Sequence, residues 1–241
     1  MCTVSFVRVN DAVIITSNRD EHIQRANAAA PAFHLSPHKK IIFPKDAKAG
    51  GTWFAASDIG VVAVLLNGAV KKHIAKPPYR KSRGLILLEI IEADSPLIFF
   101  KEMDLDNIEP FTVILYQPGS LHELRWDGSN KYDQLLDDSG SYIWSSSTLY
   151  TDEVIGERKN LFDRFIKTQK NVTAELIHDF HGYDNGDAEN GFVISRQTGM
   201  KTFSITQAEV KPGSIRFSHT DLLQQKAFEE SMHINQATIN S

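Results

Sequence analysis

Cysteine is nearly absent from this sequence, since Cys2 is the only one among 241 residues. One thiol forms neither an intrachain disulfide nor a zinc knuckle, so both are excluded as sources of stability. Long hydrophobic runs are lacking too. The longest, at residues 60–66 and 85–91, fall well short of the roughly 18 consecutive apolar residues of a membrane-spanning helix. We therefore expect no stable membrane span.

An excess of basic charge is also missing. The chain has 26 Lys and Arg residues against 30 Asp and Glu residues, which gives a formal net charge of -4. A protein that mainly binds nucleic acid needs a basic footprint, so we expect no nucleic-acid partner. The first residues also lack the basic flank and apolar block of a secretory signal, and we expect a cytoplasmic protein.

The elements that the patterns predict favour a single sheet-rich domain over residues 1–241, with 41% hydrophobic residues to form its core. Residues 3–9 alternate polar and apolar as a half-buried strand does, residues 12–15 form a second strand, and Asn10-Asp11 suits a tight turn between them. A long irregular loop with three prolines is expected to follow. Further strands are predicted at residues 52–56, 60–66, 111–116, 121–126, 142–145, 192–196, 201–207 and 214–218. Helices are predicted at residues 84–93, 96–103, 151–168 and 175–181, with helical tendency in the tail after residue 221.

The place of Cys2 suggests chemistry. Methionine aminopeptidases remove Met1 when the next residue is small, and the mature chain would then carry a thiol and an α-amino group on one residue. An α-amino group has a pKa of roughly 7.7–8.0 and a free thiol one of about 8.5, so the amine is a suitable base for the thiol. The same arrangement activates N-terminal threonine nucleophiles. By position alone, however, such a cysteine more often has no catalytic role and is simply a small buried hydrophobic residue.

A polar cluster, Asn18-Arg19-Asp20-Glu21, follows the apolar run at residues 13–15. If the first two strands form a hairpin, Cys2 and Asp20 face each other across one edge of the sheet. A carboxylate there would orient the α-ammonium, while Arg19 would lower the thiol pKa or bind a substrate carboxylate. The alternative is a solvated turn or helix start, where these residue types are ordinary.

These motifs resemble the NRDE family, which includes the transport and Golgi organisation proteins. The resemblance rests on Met1-Cys2-Thr3, Asn18-Arg19-Asp20-Glu21 with Arg25, Gly50-Gly51-Thr52-Trp53, Asn67 and Ser82-Arg83-Gly84. That family is similar to the cysteine N-terminal-nucleophile (Ntn) hydrolases, such as bile salt hydrolase and penicillin V acylase. The resemblance implies an α+β fold, a four-layer αββα sandwich of two packed antiparallel sheets.

The resemblance also implies catalytic roles. Cys2 matches the nucleophile and Asp20 the aspartate that contacts the terminal amine. Asn67 matches the residue whose backbone N–H helps to form the oxyanion hole, and Ser146 stands where a second oxyanion donor, usually an asparagine, is found. Arg158 matches a late active-site arginine.

Arginine near the nucleophile departs from the acylase pattern. The acylases have an arginine three residues before the aspartate, where this chain has Ser17, and Arg19 lies next to Asp20 instead. Arg19 is retained as a catalytic candidate. The other motif residues are predicted to bind substrate: Asn18, Glu21, Arg25 and Trp53. We expect the pocket to be lined from residues 24–49 and 67–83.

Three functions remain open on these residues. The first is hydrolysis of a non-peptide amide bond through an acyl-cysteine, with a small acyl-amide or acyl-lipid substrate. The second is a non-catalytic carrier of haem or an acyl-lipid on the same scaffold, and the third is acyl transfer by the same thioester. No cofactor and no metal site are predicted: His178 and His181 lack a third ligand at metal-motif spacing and are expected at a solvated helix end. Oligomer formation is possible.

Overall fold

A computed structural model describes residues 2–235, with Cys2 described by its backbone alone. The predicted removal of Met1 and the surroundings of the Cys2 thiol lie outside the described part of the chain. Within residues 2–235, no helix is both long and apolar enough to cross a bilayer.

The described residues form two antiparallel sheets. The first sheet has six strands in the order β10 (Ser141–Ser145), β1 (Cys2–Val9), β2 (Ala12–His22), β11 (Met200–Lys211), β12 (Ser214–Asp221) and β13 (Lys226–His233). The second has seven in the order β3 (Ala29–Leu35), β4 (Lys40–Lys45), β5 (Phe54–Ser57), β6 (Val62–Asn67), β7 (Phe111–Gln117), β8 (Ser120–Trp126) and β9 (Lys131–Leu136). Their pairing is antiparallel throughout.

Helices cover the outer face of each sheet. Helices α3 (Asp152–Thr168) and α4 (Ala174–Gly182) pack on β10, β2 and β11 of the first sheet. Helix α1 (Arg83–Glu92) packs on β5 and β6 of the second sheet, with α2 (Pro96–Glu102) beside it. The predicted four-layer αββα arrangement is confirmed.

The alternation of side chains along β1 and β2 divides their residues between two cores. Phe6 and Ile15 pack between the sheets, whereas Val7 and Ile14 pack under α3 and α4. Because successive strand residues point to opposite faces, both faces of these strands are covered by protein. This explains why even the polar residues Thr3 and Asn18 have no exposed surface.

The hairpin of β1 and β2 is confirmed, with Asn10 at a positive φ of 51° in its turn. The second strand, however, does not end at residue 15. It continues to His22, since β1 and β11 pair with its polar half on either side. The polar cluster is therefore part of a strand, and the alternative of a solvated turn or helix start is wrong.

Three other predicted segments differ from the structure. The loop expected after residue 22 contains β3 and β4. Pro31 lies at an irregularity of the edge strand β3, and Pro44 lies beyond the β5 pairing of β4, so neither proline interrupts a ladder. Residues 192–196 form no strand and contribute one isolated bridge, Ser195 to Lys201. Within the tail after residue 221, Lys226–His233 forms β13 rather than a helix, because it pairs along the whole of β12.

Candidate functional site

A polar pocket of ≈ 240 Å³ contains half of the predicted site residues. Five of them line it: Arg19, Glu21, Arg25, Trp53 and Asn67. The rest of its lining is Asp46, Ala49, Gly51, Thr52, Leu65, Arg83 and Gly84. Both segments from which we expected the lining, residues 24–49 and 67–83, contribute to it.

Strand β2 decides which members of the polar cluster reach this pocket. Its odd-numbered residues share the face of Ile15, between the sheets, and its even-numbered residues share the face of Ile14, under the helices. Arg19 and Glu21 therefore line the pocket, whereas Asn18 and Asp20 face α3 and α4. The cluster supplies two separate sites rather than one.

Arg19 is buried in the pocket wall, with 4% of its surface exposed. Its Nη2 donates to Asp46 Oδ2 at 2.8 Å and lies 3.7 Å from Glu21 Oε2. Its Cζ lies 4.6 Å from the ring centroid of Trp53 and 5.5 Å from that of Phe203. The guanidinium is thus fixed by two ion pairs, of which only the one with Asp46 is a hydrogen bond, and by two aromatic faces.

Asp46 anchors the arginines, and sequence reasoning missed it. Arg25 donates to both of its oxygens, at 2.9 and 3.3 Å, and the backbone N–H groups of Lys48 and Ala49 donate to Oδ1. Burial alone would raise the pKa of Asp46, but these hydrogen bonds and the charges of Arg25 and Arg19 hold it below its usual range. An aspartate ahead of the turn that ends in Gly50 was the available signal.

Two glycine motifs that are far apart in sequence meet at the pocket. A Cβ on Gly51 would lie 2.3 Å from the backbone carbon of Gly84, and Thr52 N donates to Gly84 O at 3.2 Å. Only glycine permits this approach of the segment before β5 to the start of α1. Arg83 beside it pairs with Glu109 at 3.0 Å.

Asp20 occupies the helical side of β2 and is completely buried. Thr202 Oγ1 donates to its Oδ1 at 2.7 Å and Tyr150 Oη to its Oδ2 at 3.2 Å. Burial raises the pKa of Asp20, while the Thr202 hydrogen bond and the charge of Arg158 act against that rise. The register pairs Cys2 with Arg19, so Asp20 lies one residue beyond the partner of Cys2.

Arg158 connects the start of β1 to the helical layer and does not line the pocket. From α3 it donates to Thr3 Oγ1, to Ser145 Oγ at 3.0 Å, and to the carbonyls of Asn190 and Gly191 at 2.8 and 2.6 Å. Its Cζ also lies 4.3 Å from the ring centroid of Tyr150, the residue that donates to Asp20. Its contacts are those of a group that positions the residue next to Cys2.

Asn18 also points away from the pocket, into a buried network with His181. Its Nδ2 donates to the carbonyls of His181 and Phe192 at 2.8 and 2.9 Å, and its Oδ1 contacts His181 Nδ1. His181 Nε2 lies 2.8 Å from Ser5 Oγ. The solvated end predicted for this helix is therefore wrong at His181, which is fully buried. Burial, with the charges of Arg158 and His178, lowers the pKa of His181 to about 3.

Asn67 and Ser146 meet at a second, smaller cavity of ≈ 30 Å³. Ser146 Oγ donates to Asn67 O at 2.7 Å and lies 2.9 Å from Thr148 Oγ1. Glu123 also lines this cavity, and burial raises the pKa of its carboxyl. Asn67 belongs to both cavities and so lies between them.

Comparison with solved structures defines the class of fold. An N-acylethanolamine-hydrolyzing acid amidase ortholog from Caenorhabditis elegans matches with a TM-score of 0.62 and 8% identity, over 86% of this chain and 92% of that one. A mutant of conjugated bile acid hydrolase from Clostridium perfringens matches with a TM-score of 0.54 and 9% identity, over 99% and 98%. A second variant of that hydrolase gives 0.58 and 11%, over 98% of each chain. The chain therefore has an Ntn-hydrolase fold.

The particular family follows from the sequence. The family model described as Transport and Golgi organisation 2 matches residues 1–209, and the chain belongs to this family. Among curated proteins, no sequence matches.

Proposed function

We propose that this protein hydrolyses a non-peptide amide bond, with Cys2 as the nucleophile after removal of Met1. The observation that carries the proposal is the pairing of β1 with β2, which sets Cys2 directly opposite Arg19. Directly opposite residues of an antiparallel pair share a face of the sheet. Cys2 then belongs to the face on which the polar pocket opens, at the end of its strand.

The reaction starts with transfer of the thiol proton to the α-amino group of Cys2. The thiolate attacks the amide carbonyl, and the resulting oxyanion accepts a hydrogen bond from the backbone N–H of Asn67. The α-ammonium returns the proton to the leaving amine, which gives an acyl-cysteine. Water deprotonated by the same amine then hydrolyses the thioester and regenerates the thiol.

Asp20 would act on the amine rather than on the substrate. Its carboxyl lies on the helical side of β2, beside the backbone end where the α-amino group would be. An α-ammonium there is an opposite charge that favours the carboxylate against the effect of burial. Arg158 would contribute indirectly, because its hydrogen bond to Thr3 fixes the residue next to the nucleophile.

The test combines processing and turnover. Mass spectrometry of the purified protein should show a chain that lacks Met1, and a panel of fluorogenic short-chain and long-chain amides should show turnover. Cys2→Ala should abolish turnover, and incubation with substrate should add one acyl mass to the wild type only. An exposed control, Lys159→Ala, should keep full turnover. Full activity of a chain that retains Met1, or of Cys2→Ala, would falsify the proposal.

One observation favours the carrier as a second candidate. The Ser146 hydroxyl donates to Asn67 O, so it must rotate away before it can stabilise an oxyanion. A carrier of haem or acyl-lipid would bind haemin or a fatty-acyl ligand equally well after Cys2→Ala and would turn over no amide. Self-association and a cytoplasmic location stay predictions, to be checked by sedimentation and by microscopy.

A further inference from the structure

We propose that the polar pocket binds a carboxylate at the far end of a short acyl group, so that the substrate is a monoamide of a small dicarboxylic acid. This inference rests on the proposed function and names its substrate class. Arg19 and Trp53 are the residues that would bind the carboxylate.

The first observation is an unpaired donor on a residue that lines the pocket. Trp53 is only 6% exposed, and its indole Nε1 is buried without a hydrogen-bond partner among the described residues. A buried indole N–H ordinarily has an acceptor. Because Trp53 lines the pocket, we infer that a bound ligand accepts the hydrogen bond of this N–H.

The second observation is the incomplete pairing of Arg19. Both carboxylates near it within residues 2–235, those of Asp46 and Glu21, lie at the same nitrogen, Nη2. Neither Nε nor Nη1 of Arg19 has an acceptor in that part of the chain. A guanidinium has two planar edges, one formed by Nε and Nη2 and the other by Nη1 and Nη2. Asp46 accepts one of the two Nη2 hydrogens, so the edge that holds the other hydrogen offers a carboxylate a bidentate pair of donors.

The acidic residues of the pocket do not fill this position. Asp46 already accepts from Arg25, from two backbone N–H groups and from Arg19. Glu21 lies 3.7 Å from Arg19, beyond hydrogen-bond distance, and its Oε1 accepts from His22 N. Ser204, opposite Arg19 in β11, has a buried hydroxyl that is also without a partner among the described residues.

The size and lining of the pocket limit the acyl group. Its ≈ 240 Å³ is below the roughly 300–1,000 Å³ of pockets for drug-sized ligands. Apart from Trp53, only Ala49 and Leu65 give the lining an apolar side chain, so a long hydrocarbon chain has little to contact. Since Cys2 is directly opposite Arg19, the carboxylate would lie only a few bonds from the thioester carbon.

The test uses two isosteric probes on the full chain. Glutaryl-7-amino-4-methylcoumarin ends in a carboxylate, and its glutaramoyl analogue replaces one oxygen by NH2. Binding to Cys2→Ala is measured by calorimetry and turnover of the wild type by fluorescence. A charge-assisted hydrogen-bond pair predicts tighter binding of the glutaryl probe, on the order of 10- to 100-fold. Equal binding of the two probes would overturn the proposal.

The residues are tested by matched tryptophan variants. Trp53→Phe keeps the ring but removes the N–H, and should reduce the glutaryl preference several-fold. Trp126→Phe removes an N–H that is already bonded to Ile108 O at 2.9 Å, away from the pocket, and should leave the preference unchanged. Arg19→Lys, which keeps the charge and loses the fork, should reduce the preference further. An unchanged preference in both Trp53→Phe and Arg19→Lys would contradict the assignment.

The outcomes separate this inference from the proposed function. Glutaryl binding to Cys2→Ala without turnover by the wild type would support the carboxylate site and contradict the proposed hydrolase function. Cys2-dependent turnover that favours hexanoyl or glutaramoyl amides would do the reverse. Preference for butyryl-glycine, with its carboxylate on the amine side, would overturn the acyl-side assignment.

Discussion

Acidification should destabilise this protein, and His181 should account for a defined share of the loss. In the folded state burial, with the charges of Arg158 and His178, lowers the pKa of His181 to about 3, whereas an unfolded histidine has a pKa of roughly 6.5. Between these values the unfolded chain binds a proton that the folded chain does not. The contribution of His181 is therefore complete above about pH 6.5 and is lost as the pH falls.

The magnitude follows from that difference. At pH 5, about 1.5 units below the unfolded pKa, protonation favours the unfolded chain by about 1.36 kcal/mol per unit. The resulting loss of unfolding free energy is about 2 kcal/mol. His219, whose pKa burial lowers to about 4, should add a similar amount. The raised pKa of Asp20 acts in the opposite direction, because its folded form binds a proton more readily than its unfolded form. The contribution of His181 is therefore measured better by comparing the pH-dependent loss of unfolding free energy in the wild type and a His181 variant than by the wild-type loss alone.

The assay is urea unfolding at pH 7.5 and at pH 5.0. On acidification His181→Gln should lose about 2 kcal/mol less unfolding free energy than the wild type, because glutamine cannot take up the proton. His38→Gln, an exposed substitution between β3 and β4, should follow the wild type. Parallel losses in wild type and His181→Gln would refute the reasoning. If His181→Gln does not fold, the wild-type His181 imidazole should show no NMR titration between pH 8 and pH 5.

Two further predictions concern packing and the contacts of Arg158. Gly51→Ala should lower the unfolding free energy by at least about 3 kcal/mol, because its Cβ would overlap the backbone of Gly84. Gly156→Ala in α3, with open space around it, should raise the unfolding free energy by about 0.5–1 kcal/mol. Equal effects of the two substitutions in chemical denaturation would contradict the close approach of Gly51 to Gly84. Arg158→Met should cost about 3 kcal/mol or more, since it leaves the buried Thr3 hydroxyl and the carbonyls of Asn190 and Gly191 without their donor. Arg158→Lys should recover part of that stability. A loss below about 1 kcal/mol would show that these contacts are dispensable.

The parts of the fold that could be predicted are those in which burial of one face requires a regular alternation of polar and apolar residues. The hairpin of β1 and β2 could be predicted because alternation and Asn10-Asp11 agree. Edge strands β9 and β13 could not, since most of their residues are exposed and no apolar periodicity marks them. The polar half of β2 was missed for the opposite reason, because protein covers both faces and polar residues there are satisfied by partners such as His181.

The site divides in the same way. Motif resemblance located Arg19, Trp53 and Asn67, all of which line the pocket. It could not separate Arg19 from Asp20, because the face of each residue follows only once β2 is known to continue. For Asp46 the turn before Gly50 was the only sequence signal, and its pairing with Arg19 and Arg25 follows only from the tertiary structure.

The alternation of β2 has a consequence for how this protein can vary. Deleting or inserting one residue between positions 12 and 17 would exchange the two sets of side chains, sending the carboxyl of Asp20 towards the polar pocket and the guanidinium of Arg19 under the helices. A substitution in this strand changes one side chain, whereas a change in its length moves every later side chain of the strand to the opposite face. We therefore expect length variants of this strand to lose both halves of the site together, however conservative their sequence.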